Sequence, residues 1–408
     1  MSAVIFKNAT LLDVVEGQLL PDSNILVIGS AVAEVDSANL NFAGARVVDV
    51  AGRVLMPGLC DAHVHVTAAT PDFAALTRWS PSYVAARAGE IMRAMLYRGF
   101  TTVRDAGGAD HGLSQAVSEK LFLGPRLLFC GKAISQTGGH GDMRLPGEQH
   151  LGHCPCCAGV SRICDGVSEI RHACRDEIRK GATHLKLMVS GGVASPTDRI
   201  TSTQFADDEI EAAVQEADAA EIYCMAHAYT PRAIQRAIRA GVRSIEHGNL
   251  LDAETARMLL EHGTFLVPTL STYDALAREG VEAGLPVSMR TKVDEVFQAG
   301  LQALELAAAT GVQLVYGSDL LGSMHKYQLN EFAIRGEVQK PIEIIRSATI
   351  NAAKLFNMSG QIGVVAPLAK ADLLVVDGNP LEDLGVLQNP ERFLRVIMHD
   401  GDLIRCDI

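Results

Sequence analysis

No uninterrupted apolar run among the 408 residues reaches the ~18–20 that a membrane-spanning helix requires. The first residues, Met1-Ser-Ala-Val-Ile-Phe-Lys7, lack the basic stretch followed by a long apolar core of a secretion signal. A basic excess is missing too: the formal charge is −12, which argues against a nucleic-acid binder and favours solubility. No Gly-rich phosphate-binding fingerprint follows the early strand-like runs, which weakens a dinucleotide-binding expectation. The nine cysteines are odd in number and scattered, unlike a disulfide scaffold. A reducing cytoplasm is therefore the expected location, for a chain from which no signal has been trimmed. What remains is an ordinary balance, 48% apolar and 21% charged, long enough for one large barrel plus an accessory piece.

Both ends of the chain read as short strands. Val4-Ile-Phe6, Ile25-Leu-Val-Ile28 and Arg46-Val-Val-Asp-Val50 are β-branched runs broken by Gly, Asp and Asn, and Asp372-Leu-Leu-Val-Val376 and Phe393-Leu-Arg-Val-Ile-Met398 repeat the style. A small β-sandwich domain assembled from 1–56 and 362–408 is expected. At Pro57-Gly58 the rhythm changes, and apolar runs alternate with helical patterns, the mark of a parallel α/β fold. Strand candidates end near His63, Asp105, Gly131, Ser190, Ala228, Gly248, Thr269 and Asp319, with amphipathic helices such as Asp207–Ala220, Pro231–Ala240 and Ala253–Glu261 between them. Eight such units predict a (β/α)8 TIM barrel over 57–361.

Several side chains at those strand ends carry chemistry. In Asp61-Ala-His63-Val-His65 the two imidazoles stand at i and i+2, on one face of a strand, where both can meet one ion. Lys186 lies inside the apolar run His184-Leu-Lys186-Leu-Met-Val189, a costly place for an unpaired ammonium. It is either a barrel-mouth lysine paired with a carboxylate or an amine converted by carbon dioxide to a metal-bridging carbamate. His227, His247 and Asp319 each close a further strand candidate. Singly, each is more often a satisfied polar residue than a ligand; all five motifs fall at the strand ends where barrel active sites form. His140, in Gln136-Thr-Gly-Gly-His140-Gly, sits where glycines let an imidazole swing inward to donate to a carbonyl oxygen becoming an oxyanion; the alternative is a surface-loop histidine. Cys154, Cys156 and Cys157 include one CxxC but no second pair at zinc-finger spacing, so loop thiols are favoured over a structural metal. Trp79, the single tryptophan, falls after the first barrel strand, where it lines a pocket or covers the rim.

In order, His63-Val-His65, Lys186, His227, His247 and Asp319 resemble the ligand set of binuclear members of the amidohydrolase superfamily. Val54-Leu-Met-Pro-Gly-Leu-Cys-Asp61 and Ala371-Asp-Leu-Leu-Val-Val-Asp377 resemble its domain-junction segments. Gly138-Gly-His-Gly-Asp142, Ser190-Gly-Gly-Val-Ala-Ser-Pro-Thr-Asp198 and His227-Ala-Tyr-Thr230 are similar to the Xaa-Pro dipeptidase and carboxypeptidase-like branch, to which enzymes cleaving the phenylalanine amide of ochratoxin are also similar. The resemblance implies two divalent ions, zinc by preference. His63, His65 and Asp319 would hold one, His227 and His247 the other, with N6-carboxylated Lys186 and a hydroxide bridging them. It implies Asp319 as general acid/base and Tyr229 as a contact for the substrate's terminal carboxylate, though a structural role for that tyrosine is nearly as well supported. His325, six residues past Asp319, is a weaker candidate for the substrate's surroundings.

The expected activity is hydrolysis of an amide bond in a dipeptide or N-acyl amino acid by the bridging hydroxide. Two alternatives stand: a mononuclear ring-opening hydrolase or deaminase, imidazolonepropionase-like, and a non-catalytic scaffold. Lys186 argues against the first and the filled ligand positions against the second; metal content of two, one or none per chain separates the three. The expected partner is a small-molecule amide or dipeptide, with neither nucleic acid nor membrane, in a symmetric homo-oligomer. Proline, phenylalanine and other apolar residues all remain open at the substrate's C-terminal end.

Overall fold

A computed structural model of the chain describes residues 2–36, 38, 40–149, 157–283 and 290–408. The chain divides into two compact units, Met1–Asp61 with Ala94–Thr102 and Phe332–Ile408, and Ala62–Arg93 with Val103–Glu331. No helix among the described residues is long and apolar enough to cross a membrane.

In the first unit, strands from both ends of the chain share one mixed eight-stranded sheet. The strand Val54–Pro57 joins them: it pairs in parallel with Ala3–Asp13 and antiparallel with Leu373–Val376. Alternate side chains face one core, where Phe6, Ile25, Leu55, Leu373, Val375, Val396 and Met398 are buried. The period of two in Leu373/Val375 and Val396/Met398 sends these side chains inward. Burying each such side chain stabilises the fold by roughly 1.5–3 kcal/mol.

The second unit is mixed α/β. Its six-stranded sheet runs, in order, Ser161–Ile163, Ala133–Ser135, Leu185–Met188, Cys224–Ala228, Ser244–His247 and Phe265–Val267, with every pairing parallel. Of the three paired strands Leu59–Val64, Phe100–Asp105 and Arg126–Phe129, this unit holds residues 62–64, 103–105 and 126–129. The helices Pro231–Ala240 and Ala253–Glu261 form where their patterns place them, and Asp207–Ala219 ends one residue sooner than expected. Local chemistry fixes the first: the Thr230 hydroxyl caps the N-terminus, Pro231 opens the first turn, and Gly241 closes the helix at φ 93°.

The eighth strand expected from the sequence is reduced to a single bridge, Leu266 to Leu314. The segment still runs beside its neighbours: Val315 N–H donates to Leu266 O at 3.0 Å and Ala62 N–H to Tyr316 O at 2.8 Å. Beyond Tyr316 the ladder stops, because the amides of Ser318 and Asp319 both turn to the one carbonyl of His63, and Asp319 adopts φ 52°.

Candidate metal centre

His63 and His65 project from one face of their strand, as an i, i+2 pair must. Asp319 arrives from the far end of the unit's sequence, pinned by its amide to His63 O at 2.8 Å. Its Oδ1 lies 3.3 Å from Nε2 of each histidine. These three ligand atoms stand within 4.8 Å of one another, a group able to hold a metal ion. His247 and His227 continue the cluster, with ring centroids 5.0 Å between His63 and His247 and 4.7 Å between His247 and His227. The strand register puts Lys186 beside Met225, one pleat below His227 on the same face. Lys186 and all five other candidate ligands line a single cavity of about 600 Å³, counting the space open to solvent.

The donor set fits metal ions, because each imidazole commits one nitrogen elsewhere and leaves the other to the centre. His63 Nδ1 meets Glu246 Oε2 at 2.8 Å, and His65 Nδ1 meets Gly107 O at 2.8 Å. His227 Nε2 meets Gly191 O at 3.1 Å, and His247 Nδ1 meets Thr269 Oγ1 at 2.7 Å. Such bonds fix tautomer and ring orientation and raise the basicity of the remaining nitrogen. Glu246 is itself clamped, receiving Arg104 Nη2 at 2.9 Å and the Ser244 hydroxyl at 2.6 Å, all fully buried. Sequence reasoning missed both Glu246 and Arg104. The only signal was a second charged residue, beside His247, in a buried strand.

Burial, the dominant influence, pushes His227 and His247 well below the usual imidazole range, so both are neutral and able to ligate. It opposes ionisation of Asp319 as well, but the neighbouring His63 and His65 outweigh it and hold the carboxyl well below its usual range. Burial likewise lowers Lys186, whose ammonium has no ion-pair partner within 4.0 Å among the described residues. The carboxylates of Glu246 and Asp319 act the other way on it, favouring the charged form. Left-handed backbone occurs here at three non-glycine residues, His247, Thr269 and Asp319, at φ 75°, 51° and 52°. Each such conformation costs roughly 1–3 kcal/mol and persists only where surroundings enforce it.

His140 lies on the same cavity, stacked on His227 with centroids 4.1 Å apart and planes at 19°. Its ring packs flat on Gly192, where a Cβ would stand 2.1 Å from Cε1 and 2.4 Å from Nδ1. Gly192→Ala is therefore expected to displace the imidazole with the fold retained, which a structure of the variant beside a thermal melt checks.

Tyr229 also lines the cavity, and its hydroxyl is 2.7 Å from that of Tyr273, a second lining residue the sequence did not single out. His325 does not line it; its Nε2 pairs with Ala68 O at 3.1 Å. Trp79 does not itself line the cavity; partly buried, it packs against the apolar cluster that includes the wall residues Phe73, Val160 and Leu276, and it meets Tyr83 edge-on. Cys154 and Cys156 lie outside the described residues; Cys157 is half-buried, and the described cysteines are all free. Apolar side chains complete the wall: Phe73, Met143, Val160, Val193, Leu276 and Leu321.

A family model described as the amidohydrolase family matches residues 54–403. An ochratoxinase from Aspergillus niger is 32% identical over 363 residues, 84% of this chain and 74% of its own length. Among solved structures, a prolidase complexed with N-methylphosphonate-L-proline superposes with a TM-score of 0.97 at 48% identity, covering 99% of this chain and 100% of its own. A Xaa-Pro dipeptidase with methionine bound in its active site superposes at 0.88 with 27% identity, covering 99% of this chain and 100% of its own.

Proposed function

Because the chain belongs to the amidohydrolase family and is a hydrolase of amide C–N bonds, we propose that it cleaves a dipeptide or N-acyl amino acid using two zinc or similar divalent ions. The observation that carries this is the convergence of four imidazoles, one carboxylate and one enclosed lysine on a single cavity with apolar walls. We assign His63, His65 and Asp319 to one ion, His227 and His247 to the other, and Lys186, as its N6-carboxylate, to both. The burial of Lys186 supports that modification: burial disfavours its ammonium, and a carbamate in its place would offer the ions an anionic oxygen donor. When bound, the ions supply Lewis-acid polarisation and make water acidic enough to react near neutral pH.

The chain's own residues do the rest. Asp319 takes the proton of the attacking water on its carboxylate and passes it to the departing amine. His140 donates through Nε2 to the carbonyl oxygen as negative charge gathers there. Tyr229 offers its hydroxyl to the substrate's terminal carboxylate. His325 joins the substrate contacts only by exchanging its bond to Ala68 O. Phe73, Met143, Leu276 and Leu321 form an apolar enclosure suited to a proline or aromatic ring.

The proposed scaffold is a (β/α)8 barrel over 57–361 with a β-sandwich from 1–56 and 362–408. Bonds joining 313–316 to Leu266 on one side and Ala62 on the other support closure of the barrel. A closed homo-oligomer and a cytoplasmic location are further proposals, tested by light scattering and cell fractionation.

The deciding experiment loads the enzyme with zinc, measures metal per chain and screens Xaa-Pro, Xaa-Phe and N-acyl amino acids. Two ions and turnover of one of these classes are expected. One ion with ring opening of a cyclic amide establishes the mononuclear alternative instead. Lys186→Met is expected to lose bound metal and nearly all turnover, and the wild-type chain alone should carry the added mass of one carbon dioxide under native conditions; its absence there removes the carbamate.

A further inference from the structure

Three neighbouring strand ends and one helix are joined by a run of buried hydroxyl groups. His247 closes the strand Ser244–His247, Thr269 follows Phe265–Val267, and Tyr229 follows Cys224–Ala228, while Tyr273 stands in the first turn of the helix Leu270–Glu279. His247 Nδ1 is 2.7 Å from Thr269 Oγ1, the Thr269 and Tyr273 hydroxyls are hydrogen-bonded, and the Tyr273 hydroxyl is 2.7 Å from that of Tyr229. The Val193 backbone amide donates to Tyr229 Oη as well. All four side chains are buried; Tyr229 and Tyr273 line the cavity and Thr269 does not.

From this geometry we infer that Thr269 and Tyr273 are positioning residues that make Tyr229 purely a hydrogen-bond donor to the cavity, so that it favours a substrate carboxylate over the matching carboxamide. This rests on the roles given above to His247 and Tyr229. With Nε2 of the neutral His247 given to an ion, its one ring proton sits on Nδ1, and Thr269 Oγ1 must accept it. Thr269 stands at the helix N-terminus without making a capping bond, so its own hydrogen goes to Tyr273. Tyr273 is left with Tyr229 as the acceptor for its hydrogen. Tyr229 Oη then accepts from Tyr273 on one lone pair and from Val193 on the other, and only its hydrogen remains to offer. A group that must itself donate finds no acceptor there, whereas an ionised carboxylate makes the stronger, charge-assisted bond. Each donor in such a run also polarises the next, which strengthens the last one.

The test uses zinc-loaded full-length enzyme and the Xaa-Pro, Xaa-Phe or N-acyl substrate it turns over best, paired with the C-terminal carboxamide of that substrate. Tyr229→Phe is expected to raise KM for the acid about 10- to 100-fold, as the loss of a bond to a charged group does. Tyr273→Phe should raise KM for the acid roughly three- to tenfold, with kcat nearly constant and the enzyme folded and fully metallated, and should leave KM for the carboxamide unchanged. On a Tyr229→Phe background the same substitution should add nothing. Independently of turnover, ¹⁵N-labelled histidine in the loaded wild type should show the His247 proton on Nδ1, assigned through its bonds to the backbone of residue 247. In Thr269→Val that proton should lose its hydrogen-bonded shift. A His247 proton on Nε2, an equal rise of KM for acid and carboxamide in Tyr273→Phe, or an equal penalty on both backgrounds overturns the inference. A Tyr229→Phe enzyme with wild-type KM for the acid is a different failure: it removes Tyr229 from the substrate and overturns the selection, and the NMR result still decides the direction of the run.

Discussion

Asp319→Asn is expected to fold, to keep most of its metal and to lose turnover by about 10²–10⁴-fold, the range spanned by general acid–base groups. The substitution is nearly isosteric. Asparagine retains the Oδ1 that lies 3.3 Å from Nε2 of both His63 and His65, so an oxygen ligand survives. What it cannot do is take up and return a proton. The amide main chain of residue 319 stays bonded to His63 O, so the left-handed turn that aims the side chain is unaffected. Metal analysis and kcat on the best substrate from the screen decide the matter together. Full activity in a fully metallated variant removes Asp319 from its role, whereas inactivity with lost metal shows a ligand and no more.

The second large effect belongs to a residue that touches neither substrate nor ion. Glu246→Ala is expected to destabilise the protein by about 3–5 kcal/mol, because it strips the carboxylate from a fully buried Arg104. The same change frees His63 Nδ1 and should weaken metal binding by roughly 10–100-fold. Glu246→Gln separates the two consequences: it preserves volume and an acceptor for His63 while removing the charge that Arg104 requires. Chemical denaturation measures the first consequence and titration with a chelator the second. Burial alone would raise the Glu246 carboxyl, but Arg104 and His63 prevail and hold it well below the usual carboxylate range. Its folded value therefore lies under its unfolded one. The stability it contributes is complete above the ordinary carboxyl range and is lost only as pH falls through the folded value. An alanine variant with unchanged stability would show that Arg104 finds sufficient partners in Ala62 O and Ser244.

Much of the site is legible in the sequence. Two histidines at i, i+2 need only a strand to face one way, and parallel α/β rhythm places reactive residues at strand ends. Lys186 announced itself through cost, as an ammonium in an apolar run. Harder to read was everything that depends on a second segment. His140 was picked out by its glycines, yet its partners Ser195, Asp198 and Gln204 lie 55 to 64 residues away and have no spacing rule. Tyr273, bonded to Tyr229, sits in a helix, Leu270–Glu279, whose pattern looks like core.

The amino-acid order on its own determined the family, the α/β rhythm and the residue types that meet at the cavity, because local periodicity and side-chain chemistry are properties of short stretches. Only the folded chain decided how they are aimed. Glu246 and His247 are neighbours whose side chains should point to opposite faces of a strand. Instead Glu246 reaches His63 Nδ1, and His247, turned by its left-handed φ of 75°, brings its ring to within 5.0 Å of the His63 ring. Asp319 is swung inward by the same conformational device at φ 52°. Such backbone is unfavourable locally, and it holds because bonds to distant segments, at His63 O and Thr269 Oγ1, offset its cost.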